Sequence, residues 1–169
     1  MRKIINSIFN SFSKRKQEKI IQQTIPHGEI KWEDTVKYIP PVFCGKVIKV
    51  YDGDTVTIAC YVNKNKKVIY RFPVRLAGID CPEKFSKDEL EKEVASIAQK
   101  KLRDELFGKV ITLTNVSTDK YGRILANVMS NGYDMSEFLL NKRLAVPYDG
   151  KTRHSPNCWM KYYTTGKFQ

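Results

Sequence analysis

Three short segments hold the residues equipped for chemistry: Asp52-Gly53-Asp54-Thr55, then Arg75-Leu76-Ala77-Gly78-Ile79-Asp80-Cys81-Pro82-Glu83, then Thr118-Asp119-Lys120-Tyr121-Gly122-Arg123. Their carboxylates suit a hard cation, because calcium takes about 6–8 oxygen ligands from carboxylates, carbonyls and water. Their guanidinium groups suit a phosphate, since a planar guanidinium meets two phosphate oxygens at once and keeps its charge. Together they form the inventory of metal-assisted phosphodiester cleavage. A cation on such carboxylates polarises a phosphoryl oxygen and orients water, while arginines stabilise charge building up on a pentacoordinate phosphorus.

Taken singly, each segment has a plainer reading. Asp-Gly-Asp-Thr is built from common turn residues. Asp80-Cys81-Pro82-Glu83 reads equally well as a capped turn leading into a helix, and Lys120-Tyr121 as a solvated turn. The sharper reading comes from their conjunction: a second acidic pair, Asp80 and Glu83, in a chain that also carries Arg75 and Arg123. Arg75 precedes Asp80 by five residues, an odd separation that puts the two on opposite faces of an ideal strand. The chain must therefore bend or leave the strand between them, and Gly78 is the candidate place.

The elements that position these residues follow from their patterning. Residues 42–51, built around Val47, Ile48 and Val50, read as a strand, as do residues 55–62 and 68–76, joined by a polar turn at 63–66. Residues 86–106 read as a helix. Ser86 and Glu89 form a capping box, Leu90, Val94, Ile97, Ala98, Leu102 and Leu106 share a face, and Gly108 closes the end. Residues 110–116 and 123–129 read as two more strands. Asp134 opens a second helix running through Leu140, and the tail holds at most a short helix around 158–162. Three strands, a helix, two strands and a helix match a small closed barrel with packed helices, although the pattern alone leaves other five-stranded α+β arrangements open.

The chain has 169 residues, and its 41% hydrophobic content supplies one compact core. The net charge is +12, and from Val36 onward 23 Lys and Arg face 14 Asp and Glu. Basicity thus belongs to the folded part and fits a polyanionic partner, since each docked Lys or Arg releases condensed counterions. Cys44, Cys60, Cys81 and Cys158 form no C-x-x-C pair and only two histidines exist, which argues against a structural zinc site. Reduced thiols and an intracellular compartment are expected. No element resembles a helix that reads the major groove.

In this order and spacing the three segments resemble the thermonuclease family, the staphylococcal nuclease-like enzymes, over residues 45–148, roughly three fifths of the chain. The resemblance implies an α+β, mainly β fold: an OB-fold five-stranded barrel with packed helices, plus an N-terminal extension. It implies one calcium ion held by Asp54, Asp80 and the main-chain carbonyl of Cys81, with Asp52 supporting these ligands. Magnesium suits a relaxed site less well, because it demands near-ideal octahedral geometry. Arg75 and Arg123 are the implied catalytic arginines, and Glu83 the carboxylate that contacts the attacking water. By the same resemblance Lys120 and Tyr121 are expected to lie along the bound nucleotide, and Tyr148 near the place of tyrosines that face phosphate and base. The implied activity is endonucleolytic cleavage of DNA and RNA, with single strands preferred and 3′-phosphate ends left. A non-catalytic OB-fold module that holds nucleic acid without cutting is the alternative, and a monomer is expected.

Departures from that family are confined to a few places. Cys81 stands where the prototype has Thr, but only its main-chain oxygen is implicated. Lys84-Phe85 runs almost directly into the helix, so the rim of the site is expected to be more open, and residues 152–169 replace a long C-terminal helix. Residues 36–165 form the nuclease-like domain, and residues 1–35 have no counterpart. There Ile4, Ile5, Ile8, Phe9 and Phe12 fall at helical spacing among basic residues, with no acid before Glu18. Such a segment suits weak contact with an anionic membrane surface through residues 1–20, or organelle targeting. A tail that packs on the domain or stays mobile accounts for it equally well. It is too short and polar to span a bilayer and lacks the continuous apolar stretch of a secretory signal.

Overall fold

The computed structural model describes Lys16, Lys19, Thr24, Pro26 and residues 28–62 and 68–169. The helix expected over residues 4–12 and the turn expected at 63–66 lie outside the described residues. The chain divides into two units, Met1–Tyr38 and Ile39–Gln169. In the first, Trp32–Asp34 forms one turn of 3-10 helix, and the Asp34 carboxylate accepts the Lys31 main-chain N–H at 2.9 Å.

In the second unit the β-branched runs form strands β1 (Cys44–Val50), β2 (Thr55–Tyr61) and β3 (Ile69–Leu76), followed by the short β4 (Ile79–Asp80). Helix α1 (Glu89–Leu106) leads to β5 (Val110–Thr118), β6 (Ile124–Ser130) and β7 (Tyr133–Asp134). Helix α2 (Met135–Asn141), β8 (Val146–Pro147) and helix α3 (Trp159–Thr165) complete the chain. Strands β1, β2 and β3 pair antiparallel in succession, and β5 joins the free side of β1 and then pairs with β6. Parallel pairing of β3 with β6 closes the sheet into a five-stranded barrel. This is the mainly β, OB-type barrel with packed helices. Closure sets Arg75 opposite Leu125 on β6 and opposite Thr55 on β2, so the ends of three strands meet at one rim.

Inward-facing residues follow the period of two, most regularly along β6, where Ile124, Ala126 and Val128 are buried. In β1 both Val47 and Val50 are buried although they are three positions apart, an odd offset. A shift of register against β2 between Val47 and Lys49 inserts the extra residue, and Ile48, expected with the two valines, is exposed.

Helix α1 starts later than its sequence suggests. Asp88, not Ser86, is the N-cap, and its carboxylate accepts the Leu90 N–H at 2.9 Å. The Ser86 hydroxyl instead donates to Glu91 at 2.6 Å. Val94, Ala98, Leu102 and Leu106 make the buried stripe, whereas Leu90 extends it by one turn into solvent. Gly108, at φ +78°, turns the chain back and donates its N–H to the Val47 carbonyl at 2.9 Å. Asp134 caps α2 by accepting the N–H groups of Ser136 and Glu137. The Ser136 hydroxyl ties that helix to the Ala77 carbonyl at 2.9 Å. Among the described residues no helix is long and apolar enough to cross a membrane.

Candidate active site

The β1–β2 connection is a tight turn whose shape leaves no room for a side chain at its middle. A Cβ on Gly53 would stand 2.9 Å from the Ala98 Cβ on α1 and 3.0 Å from the Cβ and Sγ of Cys81. Only glycine lets the two flanking aspartates approach the barrel this closely. Asp54 and Thr55 are buried, and the Asp54 carbonyl accepts the Leu76 N–H at 2.8 Å, locking the turn to the end of β3. The Asp54 side chain is oriented in turn by the Thr55 hydroxyl, which donates to Oδ1 at 2.8 Å.

The bend required between Arg75 and Asp80 lies at Ala77-Gly78, with Gly78 at φ +79°. The Gly78 carbonyl accepts the Tyr148 N–H at 2.9 Å, and β4 pairs with β8, Asp80 opposite Val146. The turn thus brings Asp80 back over Arg75. Arg75 Nη1 is hydrogen-bonded to Asp54 Oδ2, while Nη2 donates to Asp80 Oδ1 at 3.3 Å and the Ile79 carbonyl at 3.2 Å. One guanidinium therefore bridges the two candidate ligand carboxylates. Burial alone would lower the pKa of Arg75, but the charges of Asp54 and Asp80 hold it above its ordinary value.

Arg123 enters the same rim from the turn that leads into β6. Asp119 aims it, accepting its Nε–H at 2.6 Å on Oδ2 and its main-chain N–H at 2.9 Å on Oδ1. Oδ1 also accepts the Tyr121 N–H at 2.8 Å. The Arg123 Nη1 lies 3.4 Å from the Thr55 hydroxyl, which links this arginine to Asp54 through one side chain. An open cleft of about 620 Å³ is lined by Arg75, Asp80, Glu83, Lys120, Tyr121, Arg123 and Tyr148. The three segments singled out in the sequence, and Tyr148, therefore meet in one place. Asp54 stands behind Arg75, and Asp52 interacts with Asp54.

Every donor that could hold a cation here is an oxygen. The Asp52 carboxyl is pushed up to about 6 by burial and then by the neighbouring Asp54, against the pull of Lys84, and its Oδ1 has no hydrogen-bond partner. Surplus, poorly solvated negative charge beside Asp54 and Asp80 fits a hard divalent ion. The donor set is two carboxylates and a carbonyl; among the described residues no three His, Cys, Asp or Glu side chains converge as a metal group. The Cys81 thiol is no competing ligand or nucleophile: burial, then the charges of Asp54, Asp80 and Asp52, raise its pKa well above the usual value.

Sequence reasoning missed two members of this constellation. Arg153, in the irregular segment after β8, lies with Nη1 3.1 Å from Glu83 Oε1 and Nη2 3.2 Å from the Cys81 carbonyl. Its Nε is 2.5 Å from Asp80 Oδ2. Glu91, on the first turn of α1, accepts the Glu83 main-chain N–H at 2.9 Å. No local pattern marks Arg153, which reaches the site through the tertiary fold, and Glu91 has the spacing of an ordinary surface carboxylate.

Comparison with known proteins identifies a family. The family model described as staphylococcal nuclease homologue matches residues 73–162, a stretch that contains Arg75, Asp80, Glu83 and Arg123 but not the Asp52–Asp54 turn. The chain is similar to a protein of Escherichia coli named as an uncharacterized endonuclease, 30% identical over 126 residues, covering 67% of this chain and 74% of that protein. It is also similar to a probable endonuclease of Saccharomyces cerevisiae, 32% identical over 93 residues, covering 52% of this chain and 34% of that one.

Proposed function

The chain belongs to the staphylococcal nuclease family, and from that premise we propose that it is a calcium-dependent endonuclease acting on single-stranded DNA and on RNA. The observation that supports this most directly is the convergence of Arg75, Arg123, Glu83 and Asp80 on one open cleft, with Asp54 hydrogen-bonded to Arg75. In this reading Asp54, Asp80 and the Cys81 carbonyl hold the ion, with Asp52 supporting them. When bound, calcium supplies Lewis-acid polarisation of a phosphoryl oxygen.

The chain's own residues do the rest. Arg75, on β3, and Arg123, just before β6, face the phosphate and stabilise the charge that grows on its equatorial oxygens. Glu83, exposed at the rim, accepts a hydrogen bond from the attacking water. The water oxygen forms the new bond to phosphorus as the bond to O5′ breaks. One proton of the water ends on O5′, which leaves as a 5′-hydroxyl, and the other fragment keeps a 3′-phosphate. Tyr121, with its ring largely in solvent, and Lys120 offer stacking and charge to an unpaired nucleotide. Tyr148 also lines the cleft.

The test is hydrolysis of a single-stranded DNA oligonucleotide with calcium, with magnesium and with chelator. Cutting that requires calcium, leaves 3′-phosphate ends and falls about 10²- to 10³-fold in Arg75→Ala is the expected result. Retained binding with no cutting under any metal, indistinguishable from Glu83→Ala, would make the chain a nucleic-acid-holding module instead.

A further inference from the structure

Arg153 addresses the same oxygens that the proposed ion and its water require. Its Nη2 donates to the Cys81 carbonyl at 3.2 Å and its Nη1 to Glu83 Oε1 at 3.1 Å. Nε stands 2.5 Å from Asp80 Oδ2, an ion pair without an aligned N–H···O bond, so that buried oxygen keeps no hydrogen-bond partner. Nη2 also lies 3.8 Å from Glu91 Oε1. A single guanidinium thus spans a candidate ligand carboxylate, the candidate ligand carbonyl and the carboxylate assigned to the attacking water. Arg75 accounts for the other faces of the acidic set, Asp54 Oδ2 and Asp80 Oδ1. Between them the two arginines offset part of the negative charge of the cluster.

We propose that Arg153 is the resident counter-cation of this acidic set, and that a divalent ion takes its place by displacing it from Asp80 and the Cys81 carbonyl. The inference rests on the calcium reading above and adds a residue that sets how tightly the ion is held. A guanidinium and a divalent cation cannot share Asp80 Oδ2 at contact distance without strong mutual repulsion, whereas Arg75 meets the other oxygen, Oδ1. The Arg153 side chain is also free to leave: it is 39% exposed and belongs to an irregular segment, so its charge regains water on displacement. Arg75, by contrast, is 16% exposed and held within the β3–β4 bend. A residue placed only to shape the Glu83 loop would aid ion binding; a counter-cation opposes it. The two roles differ in sign.

The experiment is equilibrium calcium binding by isothermal titration calorimetry, without nucleic acid, on the full chain and on Arg153→Ala, Arg153→Gln and Arg153→Lys. Removing the charge should tighten calcium binding by about tenfold, the scale of a few partly exposed ion pairs lost together. Arg153→Gln, which keeps part of the aliphatic stem and one donor group but no charge, should follow Arg153→Ala, and Arg153→Lys should stay near the wild type. Equal or weaker calcium binding by both neutral variants, with the wild type binding normally, overturns the role of Arg153 and leaves the calcium reading intact. Absence of calcium binding in every form, while cutting is supported by another ion or by none, overturns the calcium reading and this inference together.

Discussion

The Glu91 carboxylate accepts the main-chain N–H of Glu83 at 2.9 Å, so the first turn of α1 holds the loop that carries the candidate catalytic carboxylate. The other Glu91 oxygen accepts the Ser86 hydroxyl at 2.6 Å, gripping the loop at a second point. Glu91 acts on Glu83 by position, and small misplacements of a reacting group cost up to about 10²-fold in rate. Glu91→Ala is expected to lower kcat by about 10- to 100-fold with KM little changed. Glu91→Gln keeps an acceptor for Glu83 and a partner for Ser86, and should restore most of the rate. Equal losses in both variants would point to the charge of Glu91 rather than its grip.

Gly53 offers a purely steric prediction. A methyl group there meets Ala98 Cβ at 2.9 Å and Cys81 at 3.0 Å, and neither neighbour is the end of a flexible side chain. Overpacking of this kind costs about 1–3 kcal/mol, and relieving it must move the turn that bears Asp54. Gly53→Ala should therefore lose both stability in urea denaturation and most nuclease activity. The double variant with Ala98→Gly removes the nearest clash and should recover part of both. Stability equal to the wild type in Gly53→Ala would show that the turn accommodates the methyl group without moving.

Asp119 gives a pH dependence with a definite sign. Partial burial alone would raise its carboxyl, but the Arg123 side chain, the Arg123 and Tyr121 amides and the Arg123 charge bring it below the ordinary value of 3.8. A carboxyl whose folded pKa is depressed contributes stability that is fully present above the unfolded value and lost as pH falls through the folded one. The wild type should thus exceed Asp119→Asn in urea midpoint at pH 6, with the gap narrowing below pH 3.8. A gap of the same size at pH 6 and at pH 3 would mean that the lost contacts matter only as neutral hydrogen bonds.

The barrel was legible because its strands obey local rules. The period of two, the turn residues and the need for a bend before Asp80 all act within a few residues of one another. Where a contact from a distant segment decides, local reading fails. Ser86 and Glu89 satisfy the capping rule as well as Asp88 does, but Glu91 recruits the Ser86 hydroxyl and the helix begins at the next competent cap. Ile48 is apolar and in a strand, yet the β1 bulge turns it outward. Arg153 reaches Asp80 and Glu83 only because β8 pairs with β4 and delivers the segment beyond it to the cleft. Its spacing from Glu83 carries no periodic signal that a sequence could display. The segments that meet in the site were visible because each packs several polar residues into a few positions.

Tyr121 tests the substrate side of the cleft. Its ring is 72% exposed, with the Lys120 ammonium 5.1 Å and the Arg123 guanidinium 5.5 Å from its centre. Its main chain, by contrast, is fixed by Asp119. A large apolar face held in solvent beside two cations is suited to stack on an unpaired base, an interaction worth about 1–3 kcal/mol. Tyr121→Ala should raise KM for single-stranded DNA by about 5- to 150-fold, with a much smaller effect on kcat. Tyr121→Phe should retain most of the affinity, because the ring and not the hydroxyl carries the contact. Stacking tolerates any base, so the loss should be of similar size for oligo-dT and oligo-dA. A fall in kcat at unchanged KM would place the phenol at the phosphate instead, and the failure of Tyr121→Phe to rescue would then accompany it.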